Sequence, residues 1–364
     1  MRVKISKTKT VNTCIPAVVL FLTLCEFLYT KNTGNRSAVV LIVLWGYSFA
    51  YNIIRKKRFT KQTIVCLLVA AGVLLYSNNT ESIRYFLLLT SMIFWSKIEV
   101  RGVEKLTHLI VIASTIRSVI QIASGVVRTS GIFANSPTQM SCLLVVCEYY
   151  LLLRLLNNGI NWMNLICCVL CVPMIFFTES RSTLAAGVVL FAVYMIAIAV
   201  KLTPVSHKRT VLISIMVPMA VIVLLCSPAL IEIMMSKMHR TNNNASTMTR
   251  LGIYTRLLGT MSESITTILF GKGGGFVKPY LMAVMRSEVY FPAHQDFLLI
   301  ACEYGVIGLL TIFISYFWSH KLFAYFLVLY GVGSFHNILL TPTTMMFMVI
   351  TLTDLERHQQ KIWM

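Results

Sequence analysis

Residues Phe291–Gly308 read FPAHQDFLLIACEYGVIG, and the change of character within this stretch decides the fold. Pro292 and His294 end a long polar segment, and from Phe297 the chain becomes apolar. Asp296 stands where a side-chain oxygen can accept from the free N–H groups of a first helical turn, so a helix is expected to begin there. If that helix enters a membrane, His294 sits just outside it.

Working outward, similar apolar runs recur roughly every 25 to 30 residues, each long enough to cross hydrocarbon. Hydrophobic residues make up 57% of the chain and charged residues only 12%, which excludes an ordinary soluble domain. Spans are expected near Thr13–Leu28, Ser37–Ile53, Gln62–Tyr76, Ile83–Trp95, Leu106–Val127, Thr138–Leu155, Asn161–Phe177, Ser182–Val200, Val211–Leu225, Phe297–Trp318, Leu322–Ile338 and Met345–Leu352. The fold class is therefore all-α: a polytopic integral membrane protein of about 12 transmembrane helices, forming a single membrane domain over 1–364. MRVKISKTKT at the N-terminus precedes a retained first helix, because no small-residue cleavage site follows Leu28.

The formal net charge is +19, yet the cations lie in short clusters between apolar runs and not along one face, so nucleic acid is not the expected partner. Threading the chain through the spans puts Arg55, Lys56, Lys57, Arg58, Lys97, Lys208 and Arg357 on the side of the N-terminus. The opposite short loops hold few cations. That bias sets both termini in the cytoplasm and leaves one long extracytoplasmic loop at 229–295. Within it, Leu251, Tyr254, Leu258 and Met261 recur at helical spacing and predict a helix lying on the membrane surface. The glycines at 271, 273, 274 and 275 lack the Lys and hydroxyl residue of a phosphate-binding loop and read as a flexible turn that returns the chain to the bilayer.

All ten cysteines fall in apolar runs. Cys168 and Cys171 form a CxxC beside Cys167, but mid-span there is no loop to arrange metal ligands, so packing is the expected role. His and carboxylate spacing for zinc is absent, and the two aspartates, Asp296 and Asp354, form no Asp-x-Asp pair for a metal-bound nucleotide sugar. No metal and no cofactor is expected. Arg117 lies near the middle of a span, where a cation costs about 2.5–3.5 kcal/mol on insertion scales. With Gln121 one turn later, it predicts a polar interior, with Glu148 or Glu303 as its partner.

Five basic groups are expected at extracytoplasmic span ends: Arg128, Arg181, Arg250, Arg256 and His294. Guanidinium groups stay charged and bind phosphate oxygens through paired donors, so this face suits an anionic lipid headgroup such as a diphosphate. The alternative for each arginine is a simple interfacial anchor.

His294, Gln295, a nine-residue run, Gly305 and Gly308 resemble the His-Asn/Ser/Gln…Gly-x-x-Gly signature of the bacterial O-antigen ligase and polymerase superfamily. RTSGIFANSP at Arg128–Pro137 is similar to its Arg-x-x-Gly-x-Phe-x-Asn-Pro loop, although Ser136 separates Asn135 from Pro137. ESRS at Glu179–Ser182 looks like its Ser-Arg-Ser/Gly turn, and Thr249–Arg250 like the arginine before its glycine-rich stretch.

The resemblance implies a Wzy-type glycosyltransferase of the bacterial inner membrane. It would move a growing glycan from an undecaprenyl-diphosphate carrier onto a carrier-linked repeat unit, as O-antigen, capsular or exopolysaccharide polymerases do. In that reading His294 is the general base, and Arg250, Arg181 and Arg128, with Arg117, hold the diphosphate. Asn135, Gln295, Gly305 and Gly308 are motif residues, and a flippase and a chain-length regulator are the implied partners. An O-antigen ligase, which attaches the finished chain to lipid A core, shares the signature. A lipid-linked sugar transporter has a similar number of spans, but such folds usually join two related halves by a central cytoplasmic connection, and here that connection, NNGINW, is short.

Overall fold

The computed structural model describes residues 34–55, 80–98, 100–132, 137–202, 243–285, 296–317 and 342–362, with scattered positions between 59 and 72. Every regular element among them is an α-helix. In chain order these are α1 (Gly34–Ile54), α2 (Thr80–Trp95), α3 (Val103–Ala123), α4 (Pro137–Asn158), α5 (Trp162–Phe177), α6 (Arg181–Leu202), α7 (Asn243–Met261), α8 (Ile265–Phe270), α9 (Val277–Val284), α10 (Asp296–Phe317) and α11 (Pro342–Ile362). The spans expected at Thr13–Leu28, Val211–Leu225 and Leu322–Ile338 lie outside the described residues, as does most of Gln62–Tyr76.

The centre of the bundle is α4. Every residue from Met140 to Leu155 is buried, as expected of a helix apolar on all sides. It packs against α5, α6 and α11, and α3 packs on α5. The outer helices behave differently: α3 exposes Ile116, Val119 and Ile120, and α6 exposes Val188, Val189 and Val193. Water would penalise such faces and hydrocarbon would not. By length and composition, Val103–Ala123, Pro137–Asn158 and Thr183–Leu202 can each cross a membrane, and Trp162–Phe177 and Phe297–Thr311 are shorter apolar helices.

Short connections make α3, α4, α5 and α6 alternate in direction, so the end of α3, the start of α4, the end of α5 and the start of α6 share one end of the bundle. The Thr129 N–H donates to the Phe177 carbonyl at 3.0 Å, which joins the two connections directly. At the opposite end, the Lys201 ammonium in the last turn of α6 donates to the Leu156 carbonyl near the end of α4.

Helix α10 is not continuous, contrary to the single span expected from its sequence. Gly305 takes φ 68° and ψ −171°, a backbone conformation that breaks the helix inside an otherwise apolar run. Helix α7 exists where expected but shows a different face. Ile253 and Leu257 are buried against Leu298 and Cys302 of α10, while Leu258 is exposed. The periodicity was sound; the partner is α10 and not a bare bilayer surface, which rotates the buried stripe.

Candidate functional site

The end of α3 carries the loop that bears Arg128. Gln121, in the last turn of α3, is its anchor: the side-chain oxygen accepts from the backbone N–H of Ser130 at 3.0 Å and of Gly131 at 3.1 Å, and its amide donates to Ser130 Oγ at 3.0 Å. Buried loop backbone must find partners somewhere, and here one amide supplies three bonds. Gly131, at φ 53°, lies where an added Cβ would come within 2.9 Å of Met140 Sδ, so the loop also presses on the start of α4.

Arg128 reaches across to the connection between α5 and α6. Its Nε donates to the Thr178 carbonyl at 2.9 Å, and a terminal nitrogen donates to Thr138 Oγ1 at 3.4 Å. The connection is tight: Thr178 and Glu179 donate back to the carbonyls of Ile175 and Phe176, and Glu179 sits at φ 55°. Two residues later the chain enters α6 at Arg181. Arg128 is therefore bonded into the turn that leads to Arg181.

The second group of features lies on the segment from α7 to α10. Arg250 is on α7, in its first half. The glycines after α8 form a docked turn and not a loose one. Lys272 N–H donates to the Cys302 carbonyl at 2.8 Å, and Gly273 N–H to the Glu303 carbonyl at 2.9 Å, in the turn of α10 just before its break. Gly308, one turn beyond the break, offers its carbonyl to the Tyr85 hydroxyl at 3.0 Å, and Tyr85 stacks on Tyr304 with ring centroids 4.4 Å apart. The signature glycines Gly305 and Gly308 are thus contact points of α10 with α8 and α2.

His294, Gln295 and Asn135 lie outside the described residues, and so do the side chains of Arg181 and Arg250. Arg256 has a local role: it donates to the Val284 carbonyl at 3.3 Å and contacts Met285 Sδ at 3.5 Å, placing a cation at the end of α9, where the helix dipole favours one. Arg117 departs from the expected polar interior. It is exposed on α3 and pairs with neither carboxylate proposed for it. Glu148 is fully buried beside Gly187 of α6, and Glu303 faces α9.

Residues 166–313 match the family model for O-antigen ligase. This places the stretch from α5 into α10 in the O-antigen ligase and polymerase superfamily, whose members are enzymes acting on glycans. No curated protein matches the chain. Apolar helices long enough to cross a membrane, before and within the matched stretch, fit a membrane protein. The matched region contains Arg181, Arg250, the glycine-rich turn, His294, Gly305 and Gly308. The Arg128 loop precedes it but is bonded into it through Phe177 and Thr178.

Sequence reading named Gln121 and Glu303 only as polar company for Arg117 and missed their roles as anchors. A glutamine nine residues before the Ser130–Gly131 pair was visible as a signal, but nothing in an apolar run marks which way Glu303 turns.

Proposed function

We propose that the protein is a membrane glycosyltransferase that polymerises undecaprenyl-diphosphate-linked oligosaccharide repeat units. What carries this reading is the bond from Arg128 to the Thr178 carbonyl, because it builds one arginine loop of the signature into the turn that leads to Arg181 inside the family-matched region. Two guanidinium-bearing segments on one face suit a diphosphate, whose oxygens accept paired N–H donors. The cation distribution of the loops sets this face outside the inner membrane, with both termini in the cytoplasm.

The transfer runs as follows. The acceptor hydroxyl attacks the anomeric carbon of the sugar attached to the donor diphosphate. The bond from that carbon to the phosphate oxygen breaks, and the diphosphate carrier leaves. His294 takes the hydroxyl proton as general base, a role worth typically 10²–10⁴-fold. Arg250, Arg181 and Arg128 hold the leaving diphosphate while its charge develops.

The test begins with deletion of the gene. A polymerase mutant displays single repeat units at the cell surface, whereas a mutant lacking a ligase accumulates finished polymer on the carrier; the second phenotype replaces polymerase by ligase. In purified protein, Arg250→Lys keeps the charge but loses the planar fork, and should lower polymer formation by about 10–100-fold, the value of one or two charged hydrogen bonds. His294→Ala should abolish polymer while donor binding persists. Full activity in His294→Ala would overturn the base assignment.

A further inference from the structure

The break in α10 is closed by a set of contacts that the transfer reading leaves unused. When a helix ends, the carbonyls of its last turn lose their helical donors. Here the carbonyls of Cys302 and Glu303 are met from outside, by the N–H groups of Lys272 and Gly273. The two backbones touch through reciprocal glycines. A Cβ at Gly271 would lie 2.4 Å from the Glu303 carbonyl, and a Cβ at Gly305 would lie 2.2 Å from the Leu269 oxygen.

Glu303 adds a second attachment at the same point. Its side chain, 5% exposed, turns towards α9 and accepts from the Val277 N–H at 3.2 Å. Helix α9 has no side-chain cap of its own at Phe276, so the carboxylate of another helix takes that place. One residue therefore holds the glycine-rich turn by its carbonyl and α9 by its side chain. The far end of α9 is bound to Arg256 of α7, and Cys302 Sγ donates to the Leu257 carbonyl of α7 at 3.5 Å. Helix α7 carries Arg250, and α10 begins two residues after His294.

We infer that Glu303 is a positioning residue: it pins α9 and the glycine-rich turn to α10, and through them sets the helix of Arg250 against the start of α10. This rests on the proposed transfer reaction. Glu303 acts through Val277 N–H and not on substrate. The bond requires an oxygen acceptor and not a negative charge, so Gln serves in place of Glu and Leu does not.

The experiment uses the full chain in detergent, as wild type, Glu303→Gln and Glu303→Leu, with two readouts. One is trypsin cleavage after Lys272, which is exposed but whose backbone the docked turn holds against α10 until it opens. The other is polymer formation from the host's own undecaprenyl-diphosphate-linked repeat unit. Glu303→Leu should be cut about tenfold faster, as local opening permits, and should lose polymer formation mainly in kcat. Glu303→Gln should match wild type in both. Equal cleavage of Glu303→Leu and wild type would overturn the pin. Faster cleavage with full activity would overturn the positioning role, and so would a Glu303→Gln protein that is protected yet inactive, since the charge would then act directly. If wild type itself forms no polymer, the transfer reading fails, and with it the positioning role built on it, while the cleavage comparison still decides whether Glu303 pins the turn.

Discussion

Gly305 satisfies two demands at once, and each excludes a side chain. Its φ of 68° is one that residues with a Cβ rarely adopt, and the Cβ itself would meet the Leu269 carbonyl at 2.2 Å. Gly252, on α7, makes neither demand: nothing lies within 4 Å of its added Cβ, and its φ is helical. We expect Gly305→Ala to lower stability by about 2–4 kcal/mol, combining backbone strain with a displaced α8. Gly252→Ala should instead raise stability by about 0.5–1 kcal/mol, the ordinary gain of a helical alanine. Thermal unfolding of both in the same detergent is the measurement, and an equal response would remove the close approach as the reason for glycine at 305. The sequence shows that Gly305 and Gly308 belong to a signature. It does not show why, because the reason is a neighbour, α8, that lies more than thirty residues earlier in the chain.

At the scale of elements, the loop from α3 to α4 depends on a residue that belongs to the helix before it. Gln121 makes three bonds to Ser130 and Gly131, and Arg128 lies between the anchor and those partners. Replacing Gln121 with Leu strands two backbone donors, so a loss of about 1–3 kcal/mol is expected. The same change should reduce polymer formation by misplacing Arg128, whereas Gln121→Glu keeps the acceptor for both N–H groups and should retain more activity. Polymer yield compared at equal membrane protein level decides this, and equal yields from both variants would reduce Gln121 to a helix-end residue. Helix positions were legible from apolar runs: the starts and ends of α2 to α6 fall within a few residues of expectation. Faces were less so. The spacing of Leu251, Tyr254, Leu258 and Met261 identifies a helix, but only knowledge of α10 as the partner selects Ile253 and Leu257 as the buried pair.

Across the whole molecule, charge is divided between two ends of the bundle. One end holds the Arg128 loop and the turn before Arg181. The other holds a network that hydropathy could not reveal, because its members lie at the rims of separate apolar runs. Arg154 of α4 pairs with Glu104 of α3 and lies 3.9 Å from Asp354 of α11. Asp354 also accepts from the Tyr150 hydroxyl at 2.6 Å. Glu104 accepts from the Asn164 amide of α5 at 2.8 Å, and the Asn164 oxygen meets His108 Nε2 at 2.6 Å. Four helices are thus tied through one arginine that is 9% exposed. Removing one member of a buried pair is costly, since it leaves a charge without its partner; the loss is about 3–5 kcal/mol for a fully buried pair and smaller here, where Glu104 and Asp354 are partly exposed. Arg154→Met should therefore lower the unfolding midpoint sharply, because Glu104 and Asp354 both lose their cation. Adding Glu104→Gln and Asp354→Asn to it should recover part of that loss, because no uncompensated charge then remains. Thermal unfolding of the single and triple variants in one detergent distinguishes the outcomes. If the triple variant is no more stable than Arg154→Met alone, the cost lies in lost packing of the arginine stem and not in the stranded carboxylates.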